Sequence, residues 1–494
     1  MFKNSGNLFQ KTGDSIEDKV SSIHPDLQEV LGDLKLIDDI SNDLKWVKNE
    51  YLPIEVDEET YEHEERLNRV SFRNFFSHLV NGYGGLLSFS IENEDNIIAE
   101  DNIDLRGNSI YKFFSMATKR SLKDRLCGIF IEAPPEDKNI KTNKDLMNSN
   151  RRPWLNLILR SNIRNWKEAI VNGDRVFTMV VLREPRWISV GQYGMRLKEL
   201  FRVLELKEWT KEGRGGPLVT YRVIEIAEDG TEFVFVNENG QPEEGYYPNL
   251  SKIPLVIFDA GLDNADDDSS VMAGRPPFIG YAEANIEHLQ LKSERRESLH
   301  KTGQAMLARG WPGMPPPDAP KVKMGSRYVI DYPVGGEVSY LETSGNGIAE
   351  MREAIKEIES ALDAASVSVL TGSAPAETVV AALLRSAQGT ANLKSMALSL
   401  KSVIQSVFEF YTAYLGVENN IEITVNDKVL EPPADHQTGE FIRDLHTVDG
   451  LIDQDTMFML LKKVKILPSD FDIEAASPEE GEEPKAIADR AIRL

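Results

Sequence analysis

The residues that could do chemistry are few, and none of them forms a set that a known reaction requires. Asp259, Asp263 and the run Asp266-Asp267-Asp268 offer carboxylates to a divalent cation, but they lack the spacing and the closing Glu of a calcium-binding loop. We interpret this stretch as an acidic loop, with a bound cation left open. His63-Glu64 has no second His at zinc-protease spacing, and Gly213-Arg214-Gly215-Gly216 lacks the Lys-Ser/Thr of a phosphate-binding loop.

Composition narrows the class of protein further. The single cysteine, Cys127, excludes an intramolecular disulfide and a cysteine-based zinc cluster. No G-x-S-x-G nucleophile motif occurs, although paired carboxylates could hide among 80 acidic residues. We therefore expect a protein that is not an enzyme and needs no cofactor. The formal net charge of −24 argues against gripping nucleic acid, because neutralising phosphates takes basic surface.

Length and hydropathy set the remaining bounds. A chain of 494 residues is long enough for two to four domains. No apolar run reaches the roughly 18 residues of a membrane span, and the start lacks a signal-peptide pattern. We expect a soluble, unsecreted protein without a membrane partner.

The stretch from Asn346 to Leu415 is the one around which the chain is organised. It opens with apolar residues spaced by three and four, which predicts one face of a helix: Ile348, Met351, Ile355, Ile358 and Leu362. The opposite face carries Glu350, Glu353 and Glu357. Such acidic residues are either an ordinary solvated helix face or the lining of a passage, and spacing alone leaves both open.

A loop and a long helix follow. Val367–Pro375 combines β-branched residues, a glycine and a proline, which predicts a loop. The next helix is predicted from 376 to 415, with a kink at Gly389 and a deeply buried second half. A hairpin of two helices inside a larger core is the alternative interpretation.

The remaining predicted elements follow in chain order. We predict helices at Tyr61–Leu79, Tyr111–Leu126 and Trp154–Val171, and β-structure from Leu200 to Ile257 with a hairpin turn at Asp229-Gly230. Pro276-Pro277 starts a further helix. Residues 303–345 form an inserted β-rich module, with strands at Arg327–Ile330 and Val338–Leu341, in which Trp311 is either an anchor for a partner or a local core.

The order of these features resembles the portal proteins of tailed bacteriophages, in particular the portal-like family formerly labelled DUF4055. The resemblance covers residues 52–472, rests on order and spacing, and is carried by Arg152-Pro153-Trp154, Ile163-Arg164-Asn165-Trp166, Tyr221-Arg222-Val223, Ile253-Pro254-Leu255-Val256, Pro276-Pro277 with Asn285, Ile286 and His288, Glu377-Thr378, and Gly450-Leu451-Ile452.

This resemblance implies an α+β portal fold divided into named parts. They are a flexible arm (1–22), a wing (23–275) with a return strand (416–437), stem helices (276–302 and 346–366), a clip (303–345), a tunnel loop (367–375), a long kinked helix (376–415), crown helices (438–473) and an acidic tail (474–494).

The resemblance also implies a role. Twelve copies would form a ring at one vertex of the virion capsid, assembled in the host cytoplasm, through which double-stranded DNA is packaged and ejected. The partners would be terminase, neck or adaptor and tail proteins, and the major capsid and scaffolding proteins. A virion adaptor, head-tail connector or scaffold protein without a DNA-gripping loop is the alternative.

Residue roles follow from the same plan. The DNA-facing tunnel loop would be Val369, Leu370, Thr371, Gly372, Ser373 and Ala374. The channel-lining acids would be Glu350, Glu353 and Glu357, and the clip contacts Trp311 and Met314. Packing between subunits would use Ile279, Ile286, Leu289, Ile348, Met351, Ile355, Ile358 and Leu362. Acidic walls suit such a channel because basic walls would hold the phosphates.

Overall fold

The fold is given by a computed structural model. It describes residues 19–41, 44–56, 58–92, 100–133, 152–171, 173–211, 214–238, 240–247, 250–260, 272–302, 307–311, 329–333, 345–364, 379–419, 421–425, 443 and 454–463. These residues form both helices and sheets, which confirms the predicted α+β class at that coarse level.

Nine α-helices and thirteen strands are assigned within these ranges. The helices are α1 (Pro25–Ser41), α2 (Leu44–Tyr51), α3 (Thr60–Arg69), α4 (Phe75–Leu86), α5 (Ile110–Asp124), α6 (Ile279–Thr302), α7 (Gly345–Ala364), α8 (Val379–Leu415) and α9 (Gln454–Lys463). The strands are β1 (Phe89–Glu92), β2 (Leu126–Glu132), β3 (Trp154–Leu159), β4 (Ile163–Val171), β5 (Asp174–Val190), β6 (Gly194–Lys211), β7 (Arg214–Ile226), β8 (Glu232–Val234), β9 (Glu244–Tyr247), β10 (Leu255–Asp259), β11 (Leu307–Trp311), β12 (Val329–Pro333) and β13 (Glu422–Val425).

The predicted helix at Tyr61–Leu79 is two helices, α3 and α4. Val70, with φ −83° and ψ 140°, is extended and ends the first one. The Asn74 side chain accepts a hydrogen bond from the Ser77 N–H and caps the second. Asn74, five positions after the last residue of α3, is the capping signal in the sequence that the prediction of one helix overlooked.

The predicted helix at Trp154–Val171 is wrong, because this stretch forms β3, a short 3₁₀ turn at Arg160–Asn162, and β4. β3 pairs with β2, and β2 pairs with β10, in an antiparallel three-stranded sheet. Apolar residues on either side of the turn are spaced by three and four along the chain, which imitates a helix. The pairing partners are distant in sequence, so local periodicity could not reveal them.

A six-stranded antiparallel sheet follows. Its order is β4-β5-β6-β7-β8, with β9 also paired to β7. The predicted hairpin is confirmed, since Ile226 lies opposite Glu232 and Gly230 has φ +84°. That left-handed backbone conformation is why a glycine follows Asp229 in the turn.

The second half of α8 lies in the main core, as its double apolar stripe predicted. Val403, Ile404, Val407, Phe408 and Tyr411 are buried against α5 and the three-stranded sheet. The helix is continuous through Gly389. After it, β13 pairs antiparallel with β1, so the chain returns to its N-terminal part.

Several predictions fall outside the described residues. They concern most of the arm, Asp263 and Asp266-Asp267-Asp268 of the acidic loop, the strand Val338–Leu341, the loop 367–375, all of the crown (438–473) except residues 443 and 454–463, and the tail 474–494. Within the predicted arm, residues 19–22 are described, and the Val20 N–H donates to Glu232 at 2.7 Å. The last residues of the predicted arm therefore contact the six-stranded sheet at β8.

Candidate functional site: an anchored helix pair

α6 and α7 lie side by side and form what we call the helix pair. The Tyr281 hydroxyl donates to the Leu362 carbonyl at 3.0 Å, and His288 Nε2 lies 3.0 Å from Glu359 Oε1. The higher-numbered residue of α6 thus contacts the lower-numbered residue of α7, so the two helices are antiparallel. At about 1.5 Å per residue, they are roughly 36 and 30 Å long.

The chain between these helices contains a small sheet. β11 and β12 pair in parallel, with Leu307 opposite Val329 and Trp311 opposite Pro333. The strand predicted at Arg327–Ile330 overlaps β12, whereas β11 was not predicted. Trp311 is the last residue of β11, and Met314 lies outside the described residues.

The buried face of α6 packs on the N-terminal helices of the same chain. Ile279, Ile286 and Leu289 are 9%, 7% and 0% exposed and share a core with residues of α1, α2 and α4. These three residues were expected to pack between subunits. Their surface is already covered within one chain, so little of it is left for such a contact, and that role stays a prediction.

α7 contributes differently. Ile355 and Leu362 are also buried, at 6% and 2% exposure, whereas Ile348, Met351 and Ile358 are only half-buried. Of the predicted packing residues, these last three keep apolar surface that a neighbouring copy could cover.

A buried amide fixes α6 to the start of α4. Asn285 is 0% exposed. Its Oδ1 accepts from the Phe76 N–H at 3.2 Å, and its Nδ2 donates to the Arg73 carbonyl at 2.9 Å. The Phe76 amide belongs to the first turn of α4, where backbone donors have no partner within the helix. Asn285 supplies that partner from another helix.

Two arginines of α3 extend the anchorage along α6. Arg66 forms a two-atom contact with Glu58, at 2.7 and 2.8 Å, and also donates to Ser293 Oγ at 3.4 Å. Arg69 Nη2 lies 2.5 Å from Glu297 Oε2. The hydrogen bond to Arg66 is the main reason that the pKa of Glu58 is lowered, with burial acting against it.

Arg160 anchors the segment that leads into α6. Its side chain is 1% exposed and donates to the carbonyls of Asp124, Met272 and Gly274 at 2.9, 2.8 and 2.8 Å. Burial lowers the pKa of Arg160 to about 10. One guanidinium thus joins the end of α5, the turn before β4 and the chain just before the helix pair.

His288 lies inside the contact between α6, α7 and α4. Its side chain is 0% exposed, and its ring meets that of Phe75 edge to face at 5.2 Å. Nδ1 has no hydrogen-bond partner among the described residues. Burial lowers the pKa of His288, and the hydrogen bond to Glu359 opposes that shift.

The outer face of α7 is acidic and exposed to solvent. Glu350, Glu353 and Glu357 are all exposed, as their spacing predicted. Lys356 Nζ lies 2.9 Å from Glu353 Oε1, and this hydrogen bond is the main reason that the pKa of Glu353 is lowered. The structure therefore presents these carboxylates to solvent, and whether they line a passage stays a prediction.

The described residues offer no place for a metal ion. No group of three or more His, Cys, Asp or Glu side chains converges within those ranges. Cys127 is buried at 0% exposure, and burial raises the pKa of its thiol. None of the helices in the described part of the chain is both long enough and apolar enough to span a bilayer.

Sequence reasoning missed the roles of Arg160 and His288. Arg160 stood inside a stretch interpreted as helix, where an arginine reads as surface. His288 was noted only for the family resemblance. The signal that could have found them is a polar residue at a position whose neighbours in the sequence are apolar.

Comparison with known families gives a match to part of the chain. Residues 277–415 match the model of a family described as a domain of unknown function, DUF4055. The match begins two residues before α6 and ends at Leu415, the last residue of α8. It therefore coincides with the helix pair, the strands between its helices, and the long helix. No curated protein matches the chain.

Proposed function

We propose that this chain is the subunit of a phage portal, a ring at one capsid vertex through which double-stranded DNA is packaged and ejected. The observation that carries the proposal is the order of elements in residues 277–415: an antiparallel helix pair, a small sheet between its helices, and a long helix whose second half is core. In the portal plan these are the stem, the clip and the helix behind the tunnel loop. We also propose that the ring has twelve subunits and docks terminase, then neck and tail proteins.

The anchorage of α6 supports this role mechanically. A stem must transmit load between a ring body and a motor without bending at its base. Asn285, Arg66 and Arg160 tie α6 and the chain before it to α3, α4, α5 and the 3₁₀ turn through buried or partly buried hydrogen bonds. Buried polar contacts of this kind fix one geometry, because any displacement leaves donors and acceptors without partners.

The acidic face of α7 supports the proposed passage. Glu350, Glu353 and Glu357 lie within two helical turns on the exposed side. Facing a duplex, they would repel the phosphates and release no counterions, so DNA would slide instead of binding.

Electron microscopy of the purified protein tests the proposal. We expect rings with a central hole and cyclic symmetry near twelve-fold. Uniform monomers or dimers under conditions that favour assembly would refute it and favour the adaptor or scaffold alternative. Substitution of Thr371–Ser373 should impair packaging or genome retention while rings still form.

A second test addresses the channel face. The triple variant Glu350→Lys, Glu353→Lys and Glu357→Lys should make purified rings retain double-stranded DNA at low salt and release it as salt rises. The matched control is Glu283→Lys, Glu287→Lys and Glu294→Lys, which makes the same change of charge on the exposed side of α6. Equal retention by the control would show that these α7 carboxylates do not face the duplex.

A further inference from the structure

The longest hairpin of the six-stranded sheet ends in a free ribbon, which we call the hairpin tip (residues 185–198). β4 pairs with β5 only as far as Leu182, and β7 pairs with β6 only from Leu200. Beyond these positions β5 and β6 pair with each other up to Val190 and Gly194. A two-stranded ribbon alone is marginally stable in water, and its open edges invite association.

One face of the hairpin tip is packed and the other is bare. Ile188 packs against the core of Leu200, Val223 and Phe235. Trp187 lies opposite Leu197, and Ser189 lies opposite Met195, so these four side chains share the other face.

That bare face is apolar. Trp187, Met195 and Leu197 are 65%, 58% and 49% exposed, and Tyr193 in the turn is 89% exposed. Aromatic and methionine side chains clustered at a surface are typical of protein interfaces.

The hairpin tip also differs in charge from the rest of the chain. It carries Arg186, Arg196 and Lys198 and no acidic residue, within a chain of net charge −24. Arg186 and Lys198 pair with Glu243 and Glu225 at the base of the tip. Arg196 is exposed and has no ion-pair partner among the described residues. Arg196 lies opposite Ile188, so it stands on the other face of the ribbon from Trp187. A partner that encloses the end of the ribbon would therefore meet apolar side chains on one face and a positive charge on the other, which suits a surface that is acidic and partly apolar.

The chain itself presents such a surface in residues 54–65, which we call the acidic segment. It contains seven acidic residues and no Lys or Arg. Ile54, Val56 and Tyr61 in this segment are 50%, 102% and 44% exposed. Its residues 60–65 form the first part of α3, which packs on α6. Glu58 and Glu65 pair with Arg66 and Arg69 of that helix. The segment shares no core cluster with the hairpin tip.

We propose that the hairpin tip of one copy docks on the acidic segment of the next copy. The pairing joins two different surfaces, so it is heterologous and can close into a ring. Only the closure of this contact into a ring rests on the proposed function. The contact between two copies is argued from the complementarity of the two surfaces.

Cysteine cross-linking tests the contact directly, because the one native cysteine, Cys127, is buried. Tyr193→Cys and Val56→Cys are made as separate variants of the full chain, mixed, and oxidised. We expect a disulfide-linked dimer from the mixture and little from either variant alone. Ile170→Cys, 75% exposed on β4 of the same sheet, replaces Tyr193→Cys as the control. No link, or an equal link from the control, would overturn the proposal.

Charge reversal supplies an independent readout. Arg196→Glu should weaken self-association at least tenfold, and adding Glu55→Lys and Glu64→Lys should restore it. The control Arg222→Glu makes the same change on the exposed side of β7 and should have no effect. Circular dichroism confirms that each variant is folded. The proposal would be overturned if Arg196→Glu self-associates as strongly as the wild-type protein. It would also be overturned if Arg196→Glu loses binding to double-stranded DNA while its self-association is unchanged.

The two proposals fail separately. If the wild-type protein forms rings but Tyr193→Cys and Val56→Cys give no linked dimer, the docking is refuted and the portal stands. A specific link in a protein that forms no rings would refute the portal and leave the docking intact.

Discussion

Replacing Asn285 with leucine tests the anchorage of the helix pair. Leucine has nearly the shape of asparagine but neither donates nor accepts a hydrogen bond. Asn285→Leu therefore leaves the Phe76 N–H and the Arg73 carbonyl without partners, while the packing of α6 on α4 is kept. An unpaired buried backbone group costs about 1–3 kcal/mol.

The expected loss follows from the burial of the two groups. The hydrogen bond to Phe76 is buried and that to Arg73 is partly buried, so the second falls at the low end of the range. Leucine regains some free energy as added apolar contact. The two groups together cost about 2–4 kcal/mol and the added apolar contact offsets about 1. We expect a net loss of about 1–3 kcal/mol in the local opening free energy, equivalent to about 5- to 160-fold faster amide exchange.

Native-state hydrogen exchange of residues 75–86 measures that opening. Gln290→Leu is the matched control, because Gln290 Nε2 also donates to a backbone carbonyl, that of Tyr51, from the same helix, but at an exposed site. We expect its effect to stay within about 0.5 kcal/mol, or roughly twofold. Exchange of the Phe76 region in Asn285→Leu within threefold of wild type would refute the reasoning.

Three further predictions concern buried polar groups. Burial lowers the pKa of His288, so the folded chain favours the neutral imidazole. The contribution of that imidazole to stability is present above pH 6.5 and is lost as the pH falls below that value. The melting temperature of His288→Gln should therefore fall less than that of the wild-type protein between pH 7.5 and 5. Gly274→Ala should cost about 1–3 kcal/mol in urea unfolding, because φ is +95° and a Cβ would overlap the Arg125 guanidinium; Gly280→Ala, where the added Cβ has open space, is its control. Arg202→Met should cost about 3–5 kcal/mol, because it removes the guanidinium that pairs with both Glu184 and Glu132 and leaves Glu184 with Arg186 alone. Adding Glu184→Gln should recover part of that loss; no recovery in this double-mutant cycle would show that Arg202 and Glu184 are not coupled.

Local patterns predicted the elements whose faces differ in polarity. The stripe through Ile355 and Leu362 predicted the buried face of α7, and the glutamates opposite it predicted the exposed face. The second half of α8 was predicted as core because two adjoining apolar stripes leave no wet face. In each case the pattern lies within one helix, so the sequence of that helix is enough to predict which of its faces is buried.

Long-range partners could not be predicted in this way. Trp154–Leu159 is a strand because β2 lies beside it, and β2 is separated from it by a long stretch of chain. Arg160 is buried because three carbonyls from distant segments converge on it. Neither fact leaves a trace in the spacing of nearby residues.

The same limit concealed the hairpin tip. Trp187, Met195 and Leu197 occur in strands that also contain core residues, and in sequence they read as more of the same core. Only the register shows that the neighbouring strands have already stopped pairing at Leu182 and Leu200. Exposed aromatic side chains add little to the stability of a single chain and lower its solubility. Their presence on a ribbon with open edges is therefore better explained by a contact outside the chain, and the exposed Val56 within the acidic segment supplies a surface of opposite charge for that contact.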